Sequence, residues 1–161
     1  MELENASITL QPMTLRDASA IGSDDRLGRL WAPDFPTDGD VRVASLVERG
    51  IISPATPSWP WGPYVVVDNE SGCAIGGIGF KGGPDTDGDV EIGYGICRSE
   101  QRRGVASEAV RAMCGAARRH GARSVLAETD LDNWASQRVL EKCGFTREPD
   151  DDDLSQWRYS L

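Results

Sequence analysis

The sequence of 161 residues predicts an α+β protein in which a mixed, mostly antiparallel sheet of seven strands is flanked by about four helices. Short strand patterns bounded by glycine and proline fill residues 64–97, which is typical of an antiparallel meander. From residue 105 onward, amphipathic helical patterns alternate with strands, which indicates a parallel crossover within the same sheet. The length is that of one domain, so we expect a single domain over residues 1–161.

The N-terminal third predicts one strand and two helices. The stretch "ITLQP" alternates apolar and polar residues and ends at Pro12, which is typical of an edge strand. Residues 15–22 and 39–51 have the periodicity of amphipathic helices. Segments 29–39 and 53–63 are too rich in proline for regular structure, and the two tryptophans of the second predict an ordered loop.

The central third predicts three antiparallel strands, at residues 64–68, 73–80 and 89–97. Side chains alternate between the two faces of a strand. In the third strand, Glu91 therefore shares a face with glycines, whereas Tyr94 points to the opposite face.

The last third is predicted to continue as helix 105–120, strand 123–130, helix 132–144, and strands 145–148 and 155–161. Gly121 is a natural C-terminal stop for the first of these helices. Asp132 or Asn133 is a natural N-cap for the second. The acidic run at residues 148–153 is typical of a solvated loop.

Charge and hydropathy exclude several classes of partner. A net charge of −9 argues against nucleic acid, because affinity for a phosphate backbone depends on lysine and arginine. No apolar run approaches the roughly 20 residues that span a bilayer, so we expect no membrane association. The N-terminus lacks the basic and apolar regions of a signal peptide, and we expect a cytoplasmic protein.

The sequence also predicts that the protein binds no metal. Its four cysteines are scattered without a C-x-x-C pair and are interpreted as reduced core thiols. His120 is the single histidine, and its place at the end of a predicted helix favours an interaction with the helix dipole.

A glycine turn opens the helix at residue 105. Residues 101–106, "QRRGVA", fit the pattern Q/R-x-x-G-x-G/A directly after a strand. Gly104 permits close approach of a ligand, and Ala106 keeps the first turn open, so that backbone N–H groups can converge on a pyrophosphate. An ordinary helix start explains the same letters equally well. A phosphate-binding enzyme of another kind, with ATP as its ligand, also stays open.

Two further motifs accompany this turn, "EIGYGI" at 91–96 and "DNWASQRVLEKCGFTRE" at 132–148. In this order and spacing the sequence resembles the GNAT superfamily of N-acetyltransferases along nearly its whole length. The pattern Asn133-x-x-Ser136, followed by Glu141-Lys142-x-Gly144-Phe145, resembles the branch that includes ribosomal-protein N-terminal acetyltransferases. The resemblance implies a sheet that splays between its fourth and fifth strands and holds acetyl-CoA in the cleft.

The resemblance assigns parts of this cleft to parts of the cosubstrate. Backbone groups after the "EIGYG" strand would pair with the pantetheine arm, the glycine turn would hold the pyrophosphate, and an asparagine would lie near the sulfur. The implied cofactor-binding residues are Ile96, Cys97, Arg98, Arg103, Gly104, Val105, Ala106, Ser107 and Asn133.

The implied reaction is direct transfer of acetyl from the thioester to a primary amine. Glu91 would accept the amine proton, directly or through a water, although a strand glutamate paired with a basic side chain is the structural alternative. A backbone N–H near Cys97 would stabilise the oxyanion. Many family members place a tyrosine where this chain has Leu140, so Ser136 is our candidate donor to the leaving thiolate, with Tyr94 a weaker choice.

The acceptor would be a small-molecule amine or a protein N-terminus. Aromatic rings with an acidic group can hold a cationic amine, and the candidates in the two loops are Trp31, Asp34, Phe35, Trp59 and Trp61. Core packing is the alternative for these rings. A homodimer is a further expectation. Because of Leu140, a CoA-binding sensor or interaction module that has lost transfer stays the alternative function.

Overall fold

A computed structural model describes residues 7–26 and 28–161. Seven strands form one sheet: β1 Ile8–Pro12, β2 Pro63–Asp68, β3 Ala74–Phe80, β4 Asp89–Ile96, β5 Ser124–Asp130, β6 Thr146–Asp151 and β7 Leu154–Ser160. The α-helices in the same ranges are α1 Leu15–Gly22, α2 Asp38–Glu48, α3 Val105–Arg119 and α4 Trp134–Lys142. A short 3₁₀ turn, which the sequence did not predict, follows β4 at Arg98–Glu100.

The strand order is β1-β2-β3-β4-β5-β7-β6, and every neighbouring pair is antiparallel except β4 and β5. The parallel pair follows from α3. This crossover helix returns the chain to the end of the sheet where β4 starts, so β5 runs in the same direction as β4. The predicted α+β class, with a mixed and mostly antiparallel seven-stranded sheet, is confirmed.

The sheet opens between β4 and β5. The two strands pair only from Asp89 with Ser124 to Ile92 with Ala127. Beyond that point β4 continues beside β3 as far as Ile96, and β5 continues beside β7. The predicted splay is thus present, and among the residues described no strand adjoins the free edge of β4 beyond Ile92.

Helices cover the two faces of the sheet differently. On one face, α2 lies against glycines, with Asp40 over Gly77 of β3 and Thr37 over Gly95 of β4. The alternate residues of β4, Val90 and Ile92, are fully buried on the other face, where α3 packs against β4. Because glycine has no side chain, α2 approaches the sheet closely and leaves room for a cavity beside it.

Three of the four helices begin with a side chain that caps their free N–H groups. Thr14 and Thr37 form capping boxes in α1 and α2, and Asn133 caps α4. The prediction for α4 is therefore confirmed with Asn133 as the cap. By contrast, α3 begins at Gly104 in the left-handed conformation, with no capping side chain. It ends at Arg119, one residue before the predicted end, and His120 follows as the C-cap, where ring atom Nδ1 lies 2.9 Å from the carbonyl oxygen of Ala116.

The prediction of a loop at residues 148–153 is wrong, because β6 runs through most of this acidic stretch and pairs with β7. Arg158 of β7 donates to Glu148 at 2.7 Å, and Arg147 donates to Asp150 at 3.0 Å. These arginines offset the acidic charge, and an edge strand leaves the other carboxylates in solvent.

Candidate active site

Every second residue of β4 directs its backbone N–H and carbonyl groups toward the open edge of the strand. The N–H of Lys81 donates to the carbonyl of Glu91 at 2.9 Å, and the N–H of Cys97 donates to the carbonyl of Ile75 at 2.8 Å. These bonds turn the backbone groups of odd-numbered residues of β4 toward β3. Since backbone groups alternate along a strand, Tyr94 and Ile96 direct theirs toward the cleft.

This geometry corrects the expectation for Cys97. Its N–H is bonded to β3 and is therefore not available for an oxyanion, and its carbonyl accepts from the N–H of Glu100 at 2.9 Å. The nearest N–H on the cleft edge is that of Ile96. The carbonyl of Ile96 already accepts a hydrogen bond from the side-chain amide of Gln101 at 3.0 Å.

The start of α3 has the geometry of an anion site. Gly104 has φ +82° and Arg102 has φ +66°, and this pair of left-handed residues reverses the chain sharply after the 3₁₀ turn. The N–H of Glu108 donates to the carbonyl of Gly104 at 3.1 Å and is the first intrahelical donor, so the N–H groups of 105–107 have no acceptor within the helix. Without a capping side chain, these groups and the positive end of the helix dipole suit a phosphate.

Arg103 is held by two carboxylates of the chain itself. Its guanidinium donates to Asp68 at 2.9 Å and to Glu100. The hydroxyl of Ser71, followed by Arg103, lowers the pKa of Asp68 although that side chain is buried. A bound pyrophosphate would therefore be held mainly by backbone N–H groups, with Arg103 fixing the shape of the turn.

At the far side of the cleft, β4 and α4 meet through two hydroxyls. Tyr94 donates to the carbonyl of Ser136 at 3.1 Å, and the hydroxyl of Ser136 lies 3.3 Å from that of Tyr94. Burial raises the pKa of Tyr94 to about 12. Leu140, one turn further along α4, is completely buried in the core. Sequence reasoning ranked Tyr94 low because it points away from Glu91, yet that direction leads it to Ser136.

Asn133 stands beside these hydroxyls at the start of α4. Its Oδ1 accepts from the N–H of Ser136 at 3.1 Å. Its NH₂ group has no hydrogen-bond partner among the residues described, and the predicted contact with the pantetheine arm would use that group.

Glu91 lies on the face of β4 that α2 covers, where it forms an ion pair with Lys81. Lys81 also lies 3.5 Å from Glu128 of β5, which in turn accepts from Gln156 at 3.1 Å. Burial opposes the charge of Lys81, but the hydrogen bonds and charges of Glu91 and Glu128 raise its pKa overall. Sequence reasoning missed Glu128, although strand alternation places it two residues beyond Leu126, the partner of Glu91.

A cavity of about 260 Å³ lies next to this cluster, between α2 and the glycine surface of β3 and β4. Lys81 stands at one end, Asp40 of α2 covers Gly77, and most of the remaining wall is apolar. Burial raises the pKa of Asp40, against two hydrogen bonds from Thr37. The cavity therefore combines apolar walls with one buried carboxylate, which sequence reasoning also missed.

The structure does not bring together the five residues predicted for the acceptor. Trp31 and Phe35 pack edge to face in the core, with ring centroids 5.2 Å apart. Asp34 accepts from the N–H of Ser99 at 3.0 Å and from its hydroxyl, which lowers the pKa of Asp34. Asp34 thus links the loop before α2 to the turn after β4, and none of the three residues lines the cavity.

The two other tryptophans lie in the loop before β2. Trp61 is buried against Phe80, with ring centroids 5.2 Å apart, and it contacts the ring of His120. Trp59 is 48% exposed and lies over Gly83. Neither lines the cavity, so a role in acceptor binding stays a prediction for both.

Other chemistry has less support around the cleft. In the ranges 7–26 and 28–161, no three His, Cys, Asp or Glu side chains are grouped so as to hold a metal ion. Burial raises the pKa of the Cys97 thiol and of the Cys114 thiol to about 12, so both are protonated near neutral pH. None of the helices described is long and apolar enough to cross a bilayer.

A strand edge left open by a splayed sheet, an uncapped helix start beside it, and a carboxylate cavity on one face suit an enzyme that joins an extended anionic ligand to a second reactant. A sequence model of the acetyltransferase (GNAT) domain matches residues 7–146. The chain therefore belongs to the GNAT acetyltransferase family, which supports acetyl transfer as its general reaction.

Known proteins are similar at two levels. YjdG of Bacillus subtilis (strain 168), described as an uncharacterized N-acetyltransferase, is 32% identical over 97 residues, which are 60% of this chain. The match spans 58% of that relative's length. The ribosomal-protein-S5-alanine acetyltransferase from Vibrio fischeri has a TM-score of 0.69 at 15% identity, with 99% of this chain and 96% of that chain covered.

A second solved structure is the dodecameric spermidine N-acetyltransferase from Vibrio cholerae. It has a TM-score of 0.69 at 16% identity, with 97% of this chain and 95% of that chain covered. At these identities, the two structural similarities establish the fold. The name of the Vibrio fischeri protein refers to a protein substrate, and that of the Vibrio cholerae protein refers to a polyamine.

Proposed function

We propose that the protein is an acetyl-CoA-dependent N-acetyltransferase that moves acetyl directly from the thioester to a primary amine of a small molecule or a protein N-terminus. The observation that carries the proposal is the uncapped start of α3 at Gly104, next to the open edge of β4. The start of α3 suits a pyrophosphate, and the open edge of β4 offers backbone groups to an extended amide-bearing arm. Acetyl-CoA has both parts.

The proposed reaction needs three groups from the chain. An amine near neutral pH must lose a proton before its lone pair attacks the thioester carbon, and Glu91 would accept that proton, directly or through a water. The carbonyl oxygen gains negative charge as the new C–N bond forms, and the N–H of Ile96 would donate to it. The C–S bond then breaks, the hydroxyl of Ser136 would supply a proton to the departing thiolate, and the second proton lost by the nitrogen would restore that hydroxyl through solvent.

Acetyl-CoA is expected to raise the melting temperature of the protein, and ATP at the same concentration is expected to leave it unchanged. An amine panel should then release CoA thiol from acetyl-CoA in proportion to acetylated product. Differential scanning fluorimetry and thiol release measure the two steps separately. Stabilisation by ATP alone would contradict the assignment, and binding of acetyl-CoA without turnover on any amine would favour the sensor alternative.

Ser136→Ala and Tyr94→Phe are each expected to lower kcat by about tenfold or more, with little change in the KM for acetyl-CoA. Because their hydroxyls are in contact, the double variant is expected to be no slower than the worse single variant. Steady-state kinetics on the wild type, the two single variants and the double variant gives this double-mutant cycle. Multiplicative losses would show that the two hydroxyls act independently and would remove the basis for a shared proton donor.

A further inference from the structure

The helices α1 and α2 begin with the same capping box, and their two aspartates differ in one respect. In α1, Oδ2 of Asp17 accepts from the N–H of Thr14 at 2.9 Å and from its hydroxyl at 2.7 Å. The other oxygen, Oδ1, forms an ion pair with Arg29 at 2.5 Å. One oxygen of Asp17 therefore caps the helix, and the second binds a cation.

In α2, Oδ2 of Asp40 accepts from the N–H and the hydroxyl of Thr37 at the same distances, 2.9 and 2.7 Å. Its Oδ1 has no hydrogen bond or ion pair with any residue that the structure describes. Asp40 is only 4% exposed. Unlike Oδ1 of Asp17, Oδ1 of Asp40 is accessible from outside the protein, so a cation can reach it and pair with a side chain that is otherwise buried.

The free oxygen of Asp40 points into the cavity. It lies 2.3 Å from where a Cβ would stand on Gly77, so only a glycine at that place leaves room for it. Asp40 lines the cavity, whose walls also include Met13, Val43 and Ile52. The cations nearby do not serve Asp40, because Lys81 is paired with two glutamates and Arg42 forms no ion pair with Asp40.

The position of this oxygen also separates it from the proposed reacting centre. Gly77 pairs with Gly95 of β4, and neighbouring strands lie about 4.8 Å apart. The carboxylate thus stands over β3, while the cleft lies beyond β4 on its opposite edge. A cation bound to Asp40 is therefore not the nitrogen that meets the thioester.

We infer that Asp40 anchors a second cationic group of the acceptor, in the way that Asp17 binds Arg29. The acceptor class is an aliphatic diamine, in which an ammonium on Asp40 is joined through an apolar linker to the reacting primary amine. The linker lies along the apolar wall, above the glycine surface. This inference rests on the proposed function and names the substrate class of the same site.

The test compares an alkyl monoamine with the diamine of the same carbon chain as acceptors for the wild-type protein. We expect kcat/KM to be about tenfold or more higher for the diamine, since its second ammonium pairs with a buried carboxylate. Asp40→Asn, which keeps the side-chain shape, should remove this preference by raising the KM for the diamine to that of the monoamine. Asp17→Asn is the matched control, because it alters the same motif outside the cavity, and it should keep the preference.

Binding measured without turnover separates this inference from the proposed function. Isothermal titration of each amine into the protein with bound CoA should show the same preference for the diamine, and the same loss in Asp40→Asn. A wild type that acetylates monoamine, diamine and peptide N-terminus equally well would overturn the anchor and leave the transferase intact. A diamine preference in binding with no acetyl transfer to any amine would support the anchor and reject the transferase. Since the wild-type comparison needs no variant, poor folding of Asp40→Asn would not prevent the test.

Discussion

Replacing Glu91 by Gln is expected to lower kcat about 100-fold or more, because positioned general bases contribute roughly 10²- to 10⁴-fold to proton-transfer steps. Gln keeps the shape of the side chain and removes its ability to accept a proton. Affinity for acetyl-CoA should stay unchanged, since Glu91 lies on the face of β4 that α2 covers, away from the turn at Gly104. Steady-state rates with one amine, together with calorimetric binding of CoA, measure both quantities.

The ion pair with Lys81 makes a control necessary. Glu91→Gln removes a proton acceptor and also one of the two carboxylates that hold Lys81. Glu128→Gln removes the other carboxylate from the same lysine and leaves the Glu91 carboxylate in place. If the loss in kcat comes from proton transfer, Glu128→Gln should retain at least one third of the wild-type rate, an order-of-magnitude expectation for a half-exposed ion pair worth about 0 to 1 kcal/mol.

Equal losses in the two glutamine variants would assign the effect to a displaced Lys81. An undiminished rate in Glu91→Gln would remove Glu91 from the mechanism altogether. In that outcome, Glu91 would have only a structural role, as the partner of Lys81 in an ion pair. This is the structural alternative for a glutamate on a strand. The two carboxylates have similar exposure, 31% for Glu91 and 35% for Glu128, so solvent screens their ion pairs with Lys81 to a similar extent.

The parts of the fold that follow from local chemistry could be predicted from the sequence. Gly104 between a strand and an apolar helical repeat marks a turn that needs a left-handed residue, and Asn133 before "WASQ" marks an N-cap. The parallel pairing of β4 and β5 follows from the helix between them. The turn and the cap depend on residues within one or two turns of each other, and the parallel pairing depends on a single helix between consecutive strands.

The features that the sequence did not reveal depend on distant contacts. The acidic strand β6 exists beside Arg158, which lies ten residues from its partner Glu148. Trp31 and Phe35 have the composition of a binding loop, yet tertiary packing buries them. Asp40 carries the same local signal as Asp17, and only the fold gives one an arginine and the other a cavity.

Replacing Gly104 by Ala is expected to weaken acetyl-CoA binding by about tenfold or more, with a loss of about 1 kcal/mol in the free energy of unfolding, because a left-handed residue with a Cβ is strained by roughly 1 to 2 kcal/mol. A Cβ at this position meets no atom within 4 Å, so packing adds nothing to the strain. The added methyl group does stand at the uncapped start of α3, where backbone N–H groups must approach a pyrophosphate closely.

The same helix supplies the control for this strain. Gly121, just after the C-terminal end of α3, has φ +83°, against +82° for Gly104, and a Cβ there also meets nothing within 4 Å. Gly121→Ala should therefore cost about the same stability, ~1 kcal/mol, and leave acetyl-CoA affinity unchanged. Thermal melts measure the first quantity and calorimetry with CoA the second. Equal affinities in the two variants would place the cosubstrate phosphates elsewhere, whereas weaker binding in Gly104→Ala alone separates ligand contact at the N-terminus of α3 from backbone strain.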